Sequence, residues 1–124
     1  MKCPECQKTL VVVERNKIEL DWCPECNGFW FDADEWKLLG INDEKHNPFT
    51  YEAIRVDEKA KKCPICNKRM DKIKIGDIII DRCPCFHGVW FDKGEMSKFV
   101  NFSNENEKST KTINFLGEVF NIRK

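Results

Sequence analysis

The sequence predicts a small, metal-stabilised, β-rich α+β fold of two tandem modules, each with two cysteine knuckles, a β-hairpin and a short helix. The chain repeats its pattern after sixty positions, and all eight cysteines lie in the repeated units. Each unit spans about forty residues, a size at which a core usually needs a metal or disulfide staple. We therefore expect one module in residues 1–40, a connector in 41–60, a second module in 61–100 and a C-terminal segment in 101–124.

The first unit carries a complete set of four thiol ligands. Cys3 and Cys6 form one Cys-x-x-Cys knuckle, and Cys23 and Cys26 form another after sixteen intervening residues. This is the ligand set and spacing of a closed, tetrahedral structural zinc site. The competing interpretations are disulfides or a redox Cys-x-x-Cys pair, but the strand-helix-strand context of the redox motif is missing. Iron in a rubredoxin-like site is the chemical rival, because thiolates alone do not determine the metal.

The second unit leaves its fourth ligand open. Its first three ligands keep the spacing of the first unit, at Cys63, Cys66 and Cys83. Phe86 stands where Cys26 would be, with Cys85 just before it and His87 just after it. Cys85 would complete four thiolates through a tightened knuckle, whereas His87 would give a three-cysteine, one-histidine set, also known for structural zinc. The sequence favours Cys85, because a free thiol beside a bound zinc would compete for it.

A β-hairpin is predicted between the knuckles of each unit. In the first unit, residues 9–13 are rich in β-branched side chains and residues 18–22 alternate apolar and polar. In the second unit, residues 70–75 and 78–80 correspond to them. The dipeptide between these two segments is Gly-Asp, which favours a tight hairpin turn.

A glycine and an aromatic pair follow the last knuckle of each unit. Gly28 and Gly88 are expected to supply the positive φ of a tight knuckle turn. The aromatic pair offers large apolar faces and is expected to cover the metal and its hairpin. The two pairs are Trp30 with Phe31 in the first unit and Trp90 with Phe91 in the second.

Paired acids then predict a helix start in each unit. Asp32 with Glu35, and Asp92 with Glu95, have the spacing of a capping box with Asp at the N-cap. Capping explains these acids better than acid-base catalysis does. The apolar residues of the two predicted helices are Trp36, Leu38 and Leu39 in one copy and Met96, Phe99 and Val100 in the other.

Composition limits the choice of partners. The formal net charge is zero and the pI is near 6.7, so the chain has no overall polycationic character. One basic stretch points to nucleic acid, although Asp71, Asp77 and Asp81 weaken its field. Its cations are Lys59, Lys61, Lys62, Lys68, Arg69, Lys72 and Lys74.

The expected location is the reducing cytoplasm. The first ligand is already at position 3, with no apolar signal segment before it, and no stretch has transmembrane length. We therefore expect no membrane association and free thiols rather than disulfides.

The connector and the C-terminal segment are predicted to differ. Residues 49–56 follow a break at Pro48 and are expected to dock on a ribbon, whereas His46 reads as a solvated side chain. Residues 101–112 are polar and read as a flexible tether. Residues 113–122 are mostly apolar and can pack in cis, pair with another copy of the chain or contact a partner.

These motifs together resemble the zinc-ribbon family named for transcription factor IIB, in tandem. The resemblance covers about two thirds of the chain and implies small zinc-bound β-ribbons, but it implies little about activity. The cluster Cys85, Phe86, His87 departs from the family pattern and affects only the fourth ligand of site two. The matching residues are Cys3, Cys6, Cys23, Cys26, Gly28, Trp30, Asp32 and Glu35, then Cys63, Cys66, Cys83, Gly88, Trp90, Asp92, Gly94 and Glu95.

The function favoured by the sequence is a non-enzymatic protein-interaction or assembly module with two Zn²⁺ ions and no catalytic residues. A nucleic-acid-binding, transcription-associated zinc ribbon is the first alternative, and a rubredoxin-like iron electron-transfer protein is the second. The partner is expected to be a protein, and the apolar C-terminal segment offers a route to homo-oligomers. The expected metal ligands are Cys3, Cys6, Cys23, Cys26, Cys63, Cys66, Cys83 and Cys85, with His87 as the alternative fourth ligand of site two.

Overall fold

The computed structural model describes residues 1–15, 17–38, 47–57, 59–92, 94, 95 and 98. Within these residues the chain forms six β-strands, one α-helix and one short 3₁₀ helix. This small β-rich architecture confirms the predicted fold class. The elements are β1 (Val11–Arg15), β2 (Ile18–Trp22), β3 (Phe29–Asp32), α1 (Ala33–Leu38), the 3₁₀ helix (Pro48–Thr50), β4 (Asp71–Ile75), β5 (Ile78–Arg82) and β6 (Gly88–Phe91).

All six strands belong to one antiparallel sheet that contains both repeats. Its strand order is β1-β2-β3-β6-β5-β4, so the predicted hairpins lie at the two ends. The Trp-Phe segments form the central strands β3 and β6, which pair with each other. Trp30 pairs with its own repeat equivalent, Trp90, so an approximate two-fold axis passes through this pair. The division into residues 1–40 and 61–100 stays a prediction of sequence organisation.

The side chains of the central strands alternate between two buried layers, as the two-residue period of a strand requires. On one face, Phe31 and Phe91 join a core built largely from the isoleucines of the hairpins. On the other face, Trp30 and Trp90 pack with the cysteines. The predicted aromatic cover of the metal sites is therefore made by the tryptophans, while the phenylalanines face away from the metal.

Helix α1 joins the two repeats on the first face. Its buried Trp36 contacts Phe31 edge to face, with ring centroids 4.9 Å apart, and stacks on Phe91 at 6.0 Å. At the start of the helix, the backbone N–H of Ala33 donates to the carbonyl of His87 at 2.9 Å. The position of α1 in the first repeat therefore depends on a backbone carbonyl and a core side chain of the second repeat.

The two glycines after the knuckles have a role different from the predicted one. The positive φ angles fall instead on Asn27, directly before Gly28, at 64°, and on Phe86, two residues before Gly88, at 61°. A Cβ on Gly28 would overlap the ring of Trp90, and a Cβ on Gly88 would overlap the ring of Trp30 and the carbonyl of Phe31. Glycine is needed here because an aromatic ring from the other repeat lies against the backbone.

The connector docks on the second repeat, as predicted. After the 3₁₀ helix, the N–H of Ile54 donates to the carbonyl of Lys72 at 2.8 Å and forms an antiparallel bridge to β4. The buried Arg82 side chain donates to the carbonyls of Pro48, at 3.0 Å, and Tyr51. This attachment places the connector at the outer edge of β4 beside Lys72.

Several predicted features lie outside the described residues. They are His46, Leu39, most of the second predicted helix with Met96, Phe99 and Val100, and the C-terminal segment 101–124. Among the residues that the structure does describe, no helix has the length and apolarity to cross a membrane.

Candidate metal centres

The first centre brings together the four predicted cysteines. Cys3 and Cys23 are buried, while Cys6 and Cys26 are partly exposed. The Sγ atoms of Cys3 and Cys26 are 3.5 Å apart, those of Cys6 and Cys23 are 3.3 Å apart, and all four lie within 4.8 Å of one another. Tetrahedral zinc with bonds of about 2.3 Å would place its sulfurs about 3.8 Å apart. The four thiols are therefore arranged for one zinc ion.

The knuckle backbone of this centre supports thiolate ligands. The N–H groups of Glu5 and Cys6 point at Cys3 Sγ at 3.3 and 3.4 Å, and the N–H of Cys26 points at Cys23 Sγ at 3.5 Å. Such donors favour the charged form of a sulfur. The tight turns that aim them require a left-handed residue after each knuckle, and Gln7 and Asn27 have φ of 65° and 64°.

The second centre consists of three cysteines and a histidine. Cys83 Sγ lies 3.6 Å from Cys66 Sγ and 3.4 Å from His87 Nδ1, and Cys63 completes the group within 4.8 Å. Cys85 is exposed, and its Sγ lies 3.6 Å from Lys68 Nζ. The geometry therefore corrects the preference for Cys85: the alternative ligand, His87, is the one that faces the other three.

The physical reason is a knuckle turn that is one residue shorter. In the first repeat the turn closes with Asn27 N–H donating to the carbonyl of Cys23 at 2.8 Å, whereas in the second Phe86 N–H donates to Cys83 at the same distance. The shorter turn leaves Cys85 on the outside, and His87, two residues further on, has a side chain long enough to reach the centre. The sequence displayed both candidates, but the direction of each side chain depends on this turn.

Burial makes several of these thiols poor acids in the absence of a cation. It raises the pKa of Cys3 to about 11 and that of Cys63 to about 12. Cys66 differs, since the backbone N–H of Lys68 lowers its pKa to about 6. Zinc binds thiolates and displaces their protons, so a bound cation would supply the charge compensation that the buried sulfurs lack. The two ligand sets fit two zinc ions.

The two centres share one layer of packing. Trp30 and Trp90, both fully buried, lie in the same cluster as cysteines from both centres. Each indole is anchored in the same way, because Trp30 Nε1 donates to Asp32 and Trp90 Nε1 donates to Asp92, both at 2.7 Å. The predicted capping aspartates therefore also fix the rings between the metal centres.

The glutamates of the predicted capping boxes have different contacts. Glu95 accepts the N–H of Asp92 at 2.8 Å, as a capping box requires, and this part of the prediction is confirmed. Glu35 accepts the N–H of Glu19 at 2.9 Å instead and ties α1 to β2. The same spacing serves a different purpose because α1 lies beside β2.

Two cations of the predicted basic stretch are neutralised by acids. Lys61 Nζ lies 3.2 Å from Asp92, 3.6 Å from Glu5 and 3.8 Å from Asp81. The buried Lys72 lies 2.6 Å from Asp81. The positive electrostatic potential around this stretch is therefore weaker than seven unpaired cations would produce.

A groove opens between the first knuckles of the two repeats. Its volume is about 750 Å³, and residues of both knuckles line it. The charged residues along it are Lys2, Lys59, Lys62 and Glu5. The three lysines are exposed, so the groove presents a net positive charge to solvent.

Comparison with known proteins agrees with this geometry. A family model described as a transcription factor zinc-finger matches residues 2–39 and residues 62–101, which are the two stretches that hold the ligand sets. No curated protein and no solved structure matches the chain. The two matched stretches span more than half of the sequence, and the chain therefore belongs to the transcription factor zinc-finger family, with its zinc ribbon present twice in tandem.

Proposed function

We propose that this protein is a non-enzymatic interaction module in which two structural zinc ions hold the recognition surface in shape. Each centre has four protein ligands, whereas a catalytic zinc normally keeps one coordination position for water or substrate. A closed centre lends rigidity to the backbone around it. The zinc ions would then stabilise the fold and take no part in a reaction.

The groove between the first knuckles is the observation that carries this proposal. It is formed by both repeats, so it exists only when the two ribbons are assembled in one sheet. Its exposed lysines, Lys2, Lys59 and Lys62, outnumber its acid, Glu5. A groove of this charge fits an extended acidic segment of a partner protein, because opposite charges steer association and fix register.

The aromatic residues are not part of this surface. The Trp-Phe pairs offer no apolar surface to a partner, because all four side chains are fully buried. They lie on the paired strands β3 and β6 and pack in the two buried layers that join the repeats. Recognition is therefore assigned to the polar groove and its lysines.

A binding experiment with matched variants tests this proposal. The probe is a fluorescein-labelled, aspartate- and glutamate-rich peptide of about twelve residues, titrated at low and moderate salt. The variant Lys2→Gln/Lys59→Gln/Lys62→Gln removes the groove charges. The control Lys68→Gln/Arg69→Gln/Lys74→Gln removes the same number of exposed charges from the remainder of the basic stretch. We expect the groove variant to bind the peptide at least about tenfold more weakly than the control variant does.

Two results would contradict the proposal. Equal loss of binding in the two triple variants would show a nonspecific charge effect. Tighter binding of a single-stranded or duplex oligonucleotide than of the peptide, with a steep salt dependence that the control variant abolishes, would favour nucleic acid. Elemental analysis of the same samples checks that each variant keeps two zinc ions and that iron is not the metal.

A further inference from the structure

The two edges of the sheet are covered differently in the part of the chain that the structure describes. In a hairpin with a two-residue turn, alternate residues direct their backbone N–H and C=O groups away from the partner strand. On β4 these residues are Lys72 and Lys74, and the carbonyl of Lys72 accepts the N–H of Ile54 from the connector. On β1 the equivalent residues are Val12 and Glu14.

Strand β1 presents an apolar edge. It is the terminal strand of the sheet, and Val11 and Val12 are 45 % and 58 % exposed. Lys72, the repeat equivalent of Val12, is 7 % exposed beside the docked connector. Proteins usually cover or charge such edges, because unpaired backbone groups next to apolar side chains invite strand addition.

A second observation comes from the residues that hold the connector. Arg82 donates to the carbonyls of Pro48 and Tyr51. Its repeat equivalent is Trp22, whose indole Nε1 is buried and has no hydrogen-bond partner among the described residues. A buried donor of this kind normally finds an acceptor. The first repeat therefore has a donor where the second repeat binds connector carbonyls.

The C-terminal segment has the length to supply the missing strand. Ile54 comes sixteen positions after Leu38, near the end of α1, and Asn114 comes sixteen positions after Lys98, its equivalent in the second repeat. Around position 114 the chain is apolar, with Ile113, Phe115 and Leu116. By its position in the sequence repeat, Asn114 is therefore the equivalent of Ile54, the connector residue that bridges to β4.

We propose that residues 112–116 add to the outer edge of β1 within the same molecule, as Ile54 adds to β4. Backbone groups of Val12 and Glu14 pair with the added segment. With Asn114 opposite Val12, as Ile54 is opposite Lys72, Phe115 lies opposite Val11 and Ile113 lies opposite Val13, and both side chains cover that face of β1. The indole N–H of Trp22 donates to a backbone carbonyl just before the added strand. This docking is independent of the groove, so it can succeed or fail without deciding the proposed function.

Amide hydrogen exchange in the full chain tests the docking directly. The amides of Val12 and Glu14 should exchange at least about tenfold more slowly than unpaired edge amides. Ile113→Asp/Phe115→Asp should remove this protection, because it places charges against Val13 and Val11 on one face of β1. The control Phe120→Asp/Ile122→Asp makes the same change beyond the docked residues and should leave the protection intact. Amides of β5, far from this edge, report that each variant is folded.

Three outcomes would overturn the proposal. Rapid exchange of Val12 and Glu14 in the unmodified chain would show an open edge. Protection that persists in Ile113→Asp/Phe115→Asp would show that another segment covers it. Protection that increases over about a hundredfold rise in protein concentration would identify a second copy of the chain as the occupant.

Discussion

Trp30 lies directly opposite Trp90 across the β3–β6 strand pair, and each ring occupies the space beside a glycine of the other repeat. Trp90 lies against Gly28, and Trp30 lies against Gly88. This reciprocal packing joins the two ribbons at the centre of the sheet. It also places both rings in the cluster that contains the ligands of both metal centres.

The glycine contacts predict a graded loss of stability. Gly88→Ala should lower the free energy of unfolding by about 3 kcal/mol or more, because its Cβ would meet the Phe31 carbonyl as well as the ring of Trp30. Gly28→Ala should cost less, since only the side chain of Trp90 has to move. Denaturant unfolding at fixed zinc concentration measures both.

Gly94→Ala is the control for these variants. A Cβ at Gly94 would meet nothing within 4 Å, although its φ of 91° disfavours alanine. Its cost should be about 1 kcal/mol, from backbone strain alone. Equal costs for Gly88→Ala and Gly94→Ala would show that the tryptophan contact does not matter.

The fourth ligand of the second centre can be identified by comparing two variants. His87→Ala should weaken zinc binding at that centre by at least about tenfold, because a ligand facing the other three is lost. Cys85→Ser should keep two zinc ions per chain with unchanged affinity, since that thiol is exposed and directed at Lys68. Native mass spectrometry with a chelator in competition measures both quantities. The reverse ranking would restore Cys85 as the ligand.

Loss of one zinc ion should weaken the other repeat. Structural zinc is worth roughly 10–16 kcal/mol of apparent binding free energy in zinc-finger peptides, and here both centres pack on the same two tryptophans. Cys6→Ser, which disables the first centre, should therefore speed amide exchange at Ile80 in the second repeat by at least about tenfold. Unchanged exchange at Ile80 would mean that the ribbons are energetically independent.

Glu95 predicts a pH dependence of stability. Burial, helped by the negative charges of Asp92 and Asp81 and opposed by the Asp92 N–H and Lys61, raises the pKa of Glu95 to about 8. Because the folded-state pKa lies above the unfolded value, the protonated carboxyl favours folding. The contribution of this carboxyl to the free energy of unfolding is fully present below about pH 4.5 and is lost as the pH rises through about 8.

The variant Glu95→Gln isolates this effect, since a glutamine can still accept the N–H of Asp92. At pH 8.5 it should be more stable than the unmodified protein by about 2–4 kcal/mol, and at pH 4.5 the two should be equally stable. Urea unfolding of both proteins at each pH, with zinc held constant, gives the difference. A stability difference between the two proteins that does not change with pH would refute the raised pKa of Glu95.

Much of the local structure could be predicted from the chain alone. The ligands Cys3, Cys6, Cys23 and Cys26 followed from their spacing, and the hairpins followed from apolar periodicity and turn residues. The docking of the connector was also expected. In each case the evidence was a pattern within a few residues, where local geometry limits the structures a segment can form.

The interpretation of Gly28, Gly88 and Glu35 needed the tertiary structure. Glycine and glutamate at these positions are consistent with local roles, a positive φ and a capping box, so the sequence offered no reason to look further. Their actual neighbours are Trp90, Trp30 and Glu19. Two of these three contacts join residues about sixty positions apart, which local patterns do not report.

The sequence by itself determined that this protein is built from two zinc ribbons, because the spacing of the cysteines specifies a ligand set before the chain folds. Only the tertiary structure decided that the ribbons form one sheet, that Trp30 and Trp90 join them and that His87 rather than Cys85 faces the second centre. The physical reason is that these features depend on side-chain direction. That direction is set by a turn one residue shorter and by strand pairing between distant parts of the chain.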